Sequence, residues 1–361
     1  MINQPELPGP RFRDFRAATA EQRAILTVML GVSIIRRHTA VTTTPIVATR
    51  LRDVLPAIEI AVASPIIEEI GALKAERNAV ILAHNYMTPD IYHGVADLTG
   101  ESLALAHRAA DTDADVIVMA GVHFMAETAK IVSPDKTVLI PDLRAGCSLA
   151  DSITAADIAL LRERYPDAAV VTYVNTSAEV KAASDITCTS GNAVKVVESM
   201  DEDRIIFLPD QYLGQWVATQ TSKEIILWHG ACEVHERFTG AELREYRALN
   251  PGVQIIAHPE CPPDVLDEAD FVGSTAGMIE WVTTATPDKV VMVTECSMAD
   301  NVTVAAPATE FVRPCNLCPH MKRITLEGIR DSLRDMQFEV TVQPDVVTGA
   351  RRAVERMLAV P

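Results

Sequence analysis

The sequence predicts an α/β protein of three pseudo-symmetric βαβ-type domains, with small parallel sheets arranged around a central site. Three observations lead there. Apolar, β-branched runs alternate with helix-like stretches, the pattern of parallel strands joined by right-handed crossovers. The same features recur in the same order at a period near 86 residues, the mark of a repeated structural unit. No low-complexity linker separates the copies, so they are expected to pack closely.

Residues 1–63 read as an N-terminal extension. Its longest apolar run, residues 25–35, is interrupted by Thr27, Gly31 and Ser33. The run reaches about half of the roughly 20 residues that cross a bilayer. Arg36 and Arg37 follow it, whereas a signal peptide carries its basic residues first. A cytoplasmic location is therefore expected.

The first unit, 64–150, opens with a strand at 79–83 that runs into His84-Asn85-Tyr86. A hydroxyl turn, Thr99-Gly100-Glu101-Ser102, then precedes a helical stretch, a strand at 116–120 and Cys147. The second unit, 151–236, repeats this. A strand at 169–172 leads into Tyr173-Val174-Asn175, followed by the turn Thr187-Cys188-Thr189-Ser190-Gly191, a strand at 205–208 and Cys232. The third, 237–324, has a strand at 253–257 leading into His258-Pro259-Glu260, the turn containing Ser274 and Thr275, a strand at 290–293 and Cys318. Residues 325–361 read as a helical segment that packs back on the body.

His84, Tyr173 and His258 lie 89 and 85 residues apart, Ser102, Ser190 and Ser274 lie 88 and 84 apart, and the three cysteines lie 85 and 86 apart. Ligands of open parallel sheets bind outside the carboxyl ends of the strands. The side chains at those ends are His84 and Tyr86, Tyr173 and Asn175, His258 and Glu260. The hydroxyl turns sit at expected helix N-termini, where Ser102, Ser190, Ser274 and Thr275 suit anions or serve as plain N-caps.

The composition, 48% hydrophobic and 22% charged, is that of an ordinary globular protein. A net charge of −17 argues against a general nucleic-acid binder but leaves anionic small molecules open. Seven cysteines suit core thiols, metal ligands or nucleophiles better than disulfides in such a chain. Cys147, Cys232 and Cys318, one per unit, would converge with the symmetry. Thiolates converging in threes suit an iron–sulfur cluster, and a [4Fe–4S] cluster so held keeps one iron open as a Lewis acid. Only Cys315 and Cys318 have the paired spacing of a zinc knuckle. Cys315 can be a spare thiol, a redox partner of Cys318 or inert. Cys188, Cys261 and Cys296 read as packing residues, and His123 with Glu127 cannot fix a metal alone.

From about Ser64 onward the chain resembles the quinolinate synthases. The resemblance rests on His84-Asn85-Tyr86, Gly121-Val122-His123-Phe124-Met125-Ala126-Glu127-Thr128-Ala129-Lys130, Ala145-Gly146-Cys147-Ser148-Leu149-Ala150, Tyr173-Val174-Asn175-Thr176, Cys188-Thr189-Ser190, His258-Pro259-Glu260-Cys261, Gly273-Ser274-Thr275 and Cys318-Pro319. It implies condensation of iminoaspartate with dihydroxyacetone phosphate to quinolinate, phosphate and water in NAD biosynthesis, and one [4Fe–4S] cluster per chain on Cys147, Cys232 and Cys318. It further implies substrate contacts from His84, Tyr86, Ser102, Tyr173, Asn175, Ser190, His235, His258, Glu260, Ser274 and Thr275. The acid–base candidates are Glu260 and Tyr86, assisted by His258 and His84. An aspartate oxidase or dehydrogenase is the implied functional partner, with no nucleic acid and no membrane. Glu101 stands where the family often has Asp. Two other readings share the cysteines: a different [4Fe–4S] hydro-lyase, and a non-catalytic iron–sulfur or zinc sensor.

Overall fold

The computed structural model describes residues 49–360, so the reading of residues 1–48 falls outside it. Each unit is built as four alternations of helix and strand. The first contains α1 (Ala57–Arg77), a helix that starts seven residues before the expected boundary at 64, then β1 (Ala79–His84), α2 (Pro89–Tyr92), β2 (Leu98–Gly100), α3 (Ser102–Asp111), β3 (Val116–Ala120), α4 (His123–Val132) and β4 (Thr137–Leu139). The second contains α5 (Ala155–Arg164), β5 (Ala169–Tyr173), α6 (Ala178–Ala183), β6 (Ile186–Cys188), α7 (Ala193–Glu198), β7 (Arg204–Leu208), α8 (Gln211–Ala218) and β8 (Glu224–Leu227). The third contains α9 (Gly240–Leu249), β9 (Gln254–Ala257), α10 (Pro263–Leu266), β10 (Phe271–Val272), α11 (Thr275–Ala285), β11 (Lys289–Val293), α12 (Ser297–Val302) and β12 (Glu310–Val312).

The strand orders are β2-β1-β3-β4, β6-β5-β7-β8 and β10-β9-β11-β12, and every pairing among these strands is parallel. The expected three-fold α/β architecture is thus present. Strands covered on both faces read as unbroken apolar runs; β3, for example, is buried at all five positions. Winding reverses between the first and third strand of each unit, which opens a crevice at their carboxyl ends.

Two further sets of strands have no strong sequence signal. β2, β6 and β10 are two or three residues long and end at the hydroxyl turns, and β4, β8 and β12 lie at the sheet edges. An aspartate starts each short strand's pairing. Asp97, Asp185 and Asp270 accept the backbone N–H of Ile81, Val170 and Ile255, each at 2.8 Å. A cation then holds each carboxylate: Lys74 at 2.5 Å, Arg162 at 3.0 Å and Arg247 at 3.2 Å. These positions carry the same period as the strands.

The C-terminal helices α13 (Leu326–Asp335) and α14 (Pro344–Leu358) pack on α1 and on α6 with β6, respectively. At the junction of the first two units, Glu127 of α4 accepts the Ala178 N–H of α6 at 3.1 Å. Buried Lys181 lies beside it and burial lowers its pKa to about 8. Glu127 therefore serves the domain junction, and His123 Nδ1 stands 3.7 Å away from it.

Candidate active site

One cavity receives side chains from all three units. His84 ends β1, Tyr173 ends β5 and His258 follows β9, so each first strand delivers its terminal side chain to the same place. Tyr86, Asn175 and Glu260, two residues further on, line it too. Of the hydroxyl turns, Ser102, Ser190 and Thr275 face the cavity. Ser274 is not among its lining residues: as N-cap of α11 it accepts the Gly277 N–H at 3.2 Å, and its hydroxyl pairs with the Glu101 carboxylate. Gly191 leaves room for that carboxylate, since a Cβ there would stand 2.8 Å from Glu101 Oε1.

Glu260 is the hub. Its Oε1 accepts from the Tyr173 hydroxyl at 2.5 Å, and its Oε2 lies 2.9 Å from His235 Nδ1. The His235 and His258 rings stack at 4.7 Å, and His258 Nε2 meets the Ser190 hydroxyl at 3.2 Å. Burial works against ionising Glu260, but the adjoining His235 and His258 rings and the hydrogen bonds from His235 and Tyr173 outweigh it. The carboxyl is held below the ordinary range and is a carboxylate at neutral pH. Burial lowers His84 to about 4 and His258 to about 3, so both rings are neutral. It also raises Tyr86 and Tyr173 well above the ordinary phenol range, so both keep their protons.

The three cysteines open three equivalent turns. The carbonyls of Cys147, Cys232 and Cys318 accept the backbone N–H groups of Asp151, Glu236 and Lys322 at 3.0, 3.0 and 3.1 Å. In each turn the backbone N–H groups two and three residues on point at the sulfur: Leu149 and Ala150, Val234 and His235, His320 and Met321. Such N–H pairs form an anion-binding concavity. Burial nevertheless raises all three thiols, Cys147 to about 12. Sulfur anions are thus favoured here only with a cation present. The donor set of three sulfurs in one cavity, each with its N–H pair, fits an iron–sulfur cluster. Cys232, His235 and Glu260 also bring ligand atoms within 4.8 Å of one another. Hydrogen bonding accounts for that closeness, because His235 Nδ1 faces both Glu260 and Cys232 Sγ, the latter at 3.2 Å.

The structure corrects the reading of two cysteines. Cys315 is disulfide-bonded to Cys296, with their Cα atoms 4.9 Å apart, so Cys296 is not a packing thiol and Cys315 does not pair with Cys318. The adjacent spacing of Cys315 and Cys318 masked a partner 19 residues away.

Sequence reasoning missed Thr294, Glu295 and Lys322. Glu295, 1% exposed, accepts from Lys322 Nζ at 2.9 Å and from the Cys318 N–H at 3.3 Å. Lys322 also donates to the Tyr86 carbonyl at 2.7 Å, tying the third unit to the first. Thr294 and Glu295 follow β11, so applying the strand-end rule to the third strand of each unit would have found them.

Residues 68–359 match a family described as "Quinolinate synthetase A protein". The chain is 63% identical over 311 residues to "Quinolinate synthase 2" of Mesorhizobium japonicum, covering 86% of this chain and 96% of the relative. It is 64% identical over 294 residues to "Quinolinate synthase" of Agrobacterium fabrum, covering 81% and 85%. With "Quinolinate synthase" of Sinorhizobium fredii it shares 54% over 352 residues, 96% of this chain and 98% of that one. Identity of this depth over this length, joined to the ordered motifs now seen around one cavity, places the chain in the quinolinate synthase family.

Proposed function

We propose that the chain is a quinolinate synthase of NAD biosynthesis, a condensing and dehydrating transferase that joins iminoaspartate to dihydroxyacetone phosphate. The observation that carries the reading is the convergence of three cysteine turns, one per unit, on the cavity that holds Glu260. Cys147, Cys232 and Cys318 would hold a [4Fe–4S] cluster. When bound, such a cluster supplies an iron without a protein ligand, a Lewis acid for hydroxyl loss.

The reaction needs proton removal beside a carbonyl or imine, loss of phosphate, Schiff-base formation with loss of the first water, and one further dehydration that loses the second. Glu260, ionised and held at both oxygens, is the general base. Tyr86 and Tyr173 contribute phenols that stay protonated. The neutral rings of His84 and His258 bind substrate through hydrogen bonds. Ser102 and Thr275, at the N-terminal ends of α3 and α11, together with Ser190 and Asn175, suit the carboxylates and the phosphate, because unpaired backbone N–H groups at helix starts favour anions. In this reading Ser274 acts through the α11 cap and Glu101, and His235 orients Glu260. The geometry keeps these groups largely away from water, which protects a reactive enamine.

Among the described residues no helix is long and apolar enough to cross a membrane. A cytoplasmic location and supply of iminoaspartate by an aspartate oxidase or dehydrogenase complete the proposal. The test is anaerobic purification, iron and sulfide analysis, and an assay of quinolinate formation. About four irons per chain with turnover, both lost in Cys232→Ser, is the expected result. Iron-free protein after reconstitution would overturn the cluster. A cluster without turnover would overturn the substrates.

A further inference from the structure

We propose that Ser148 is a positioning residue for the cysteine ligands: its hydroxyl clamps the Cys147 turn of the first unit to the Cys232 turn of the second, so that both sulfurs are presented to a cluster together. The group so held, a [4Fe–4S] cluster, is taken from the quinolinate synthase reading. The clamp itself is a feature of the chain alone.

Ser148 follows Cys147, is half-buried and lines the cavity. Its Oγ donates to the Ala231 carbonyl at 3.1 Å and accepts the Glu233 N–H at 3.1 Å. Those two residues flank Cys232, so one hydroxyl grips the backbone on both sides of a ligand from another unit. A backbone carbonyl can only accept and a backbone N–H can only donate, which fixes the direction of both bonds. Neither bond depends on the protonation of any side chain.

The repeat places Glu233 and Pro319 at the equivalent positions, 85 and 86 residues further on. The Glu233 side chain also crosses to the next unit, where its carboxylate lies 2.9 Å from His320 Nε2 in the Cys318 turn. The Pro319 side chain has no polar atom, and the Cys318 N–H is taken instead by Glu295 at 3.3 Å. Ser148 is thus the link whose two bonds fall on the immediate neighbours of a ligand.

Each turn is already closed on itself by the bond to its cysteine carbonyl, so a clamp between two turns fixes the separation of two sulfurs. Ligands held this way lose little freedom when the metal binds. With its proton committed to Ala231, the Ser148 hydroxyl has none left to give a substrate, unlike a hydroxyl free to face the cavity. Its loss should therefore fall on the cluster.

Three variants, handled without oxygen, test the clamp. Ser148→Ala removes it and Ser148→Thr keeps the hydroxyl. Ser152→Ala removes a nearby hydroxyl that bonds within its own turn, to the Leu149 carbonyl at 2.8 Å. After reconstitution, cluster loss to a ferrous-iron chelator is followed by visible absorbance and by iron per chain. Ser148→Ala should lose its cluster about ten- to a hundredfold faster than wild type, the range for groups that orient metal ligands. Ser148→Thr should restore slow loss. Ser152→Ala should match wild type, which a general loosening of the turn would not allow. The same full-length chains, metal-free, are then titrated with arsenite, which releases one water for each thiol it binds and so reports converging thiols. Measured against a Cys232→Ser baseline, Ser148→Ala should bind it about tenfold more weakly.

Wild-type retention in Ser148→Ala, equal acceleration in Ser152→Ala, or a Ser148→Thr chain that behaves as Ser148→Ala would each overturn the clamp. A wild-type chain that takes up no iron overturns the cluster reading instead. The arsenite comparison then decides the clamp by itself: equal affinity in wild type and Ser148→Ala overturns it, and weaker binding in Ser148→Ala upholds it.

Discussion

Glu260, His235, His258 and His84 line one cavity with almost no exposure, 3%, 1%, 2% and 7%. Burial keeps the His84 and His258 rings neutral, and that has a consequence for stability. A histidine whose folded pKa lies below its unfolded value of 6.5 is protonated in the unfolded chain first. As pH falls from about 6.5 toward about 4 for His84 and about 3 for His258, the unfolded state binds the extra protons. Stability is therefore lost with acid across that window and is fully present above it. Urea midpoints measured at pH 7 and pH 4.5 should drop more for the wild type than for His258→Asn, whose side chain does not titrate. Equal drops would show that His258 is not buried neutral.

At the scale of elements, the repeat is written in small hydrogen-bonded devices. Thr154, Thr239 and Thr325, each seven residues after a cavity cysteine, cap α5, α9 and α13. The first two close full capping boxes with Asp157 and Glu242. These caps end each cysteine turn at a set point and launch the next helix. Asp97, Asp185 and Asp270 do the equivalent work for the short strands. In Asp185→Ala the Val170 N–H loses its acceptor and Arg162 keeps only the Ala183 carbonyl. Chemical denaturation should register a loss of about 1.5–3 kcal/mol, the range for charge-assisted hydrogen bonds. A loss under half of that would mean water takes the place of the carboxylate.

For the whole molecule, the decisive contacts are those that cross between units. Lys322, in the third, donates to the Tyr86 carbonyl in the first and neutralises buried Glu295, which in turn accepts from the Cys318 N–H. Lys322→Met leaves a fully buried carboxylate without its cation. Breaking such a pair from one side costs about 3–5 kcal/mol. Unfolding curves should show that loss, and iron per chain after reconstitution should fall with it because the Cys318 turn loses its anchor. Unchanged iron with unchanged stability would contradict the bridging role.

The sequence by itself determined the three-fold repeat, the first and third strand of each unit, and the strand-end side chains. These are local signals: an unbroken apolar run, a turn residue and a fixed spacing survive without knowledge of neighbours. His84, Tyr173, His258 and Glu260 were legible because strand ends of parallel sheets face a common crevice. Only the tertiary structure decided what depends on partners far along the chain. The two-residue strand β10 exists because β9 offers it a ladder. Ser274 turns to its own helix and to Glu101 from another unit. Cys315 pairs with Cys296 because folding brings their Cα atoms together. Thr294 acquires its place from two partners 208 and 59 residues distant, and no periodicity in one dimension encodes a hydroxyl shared between them.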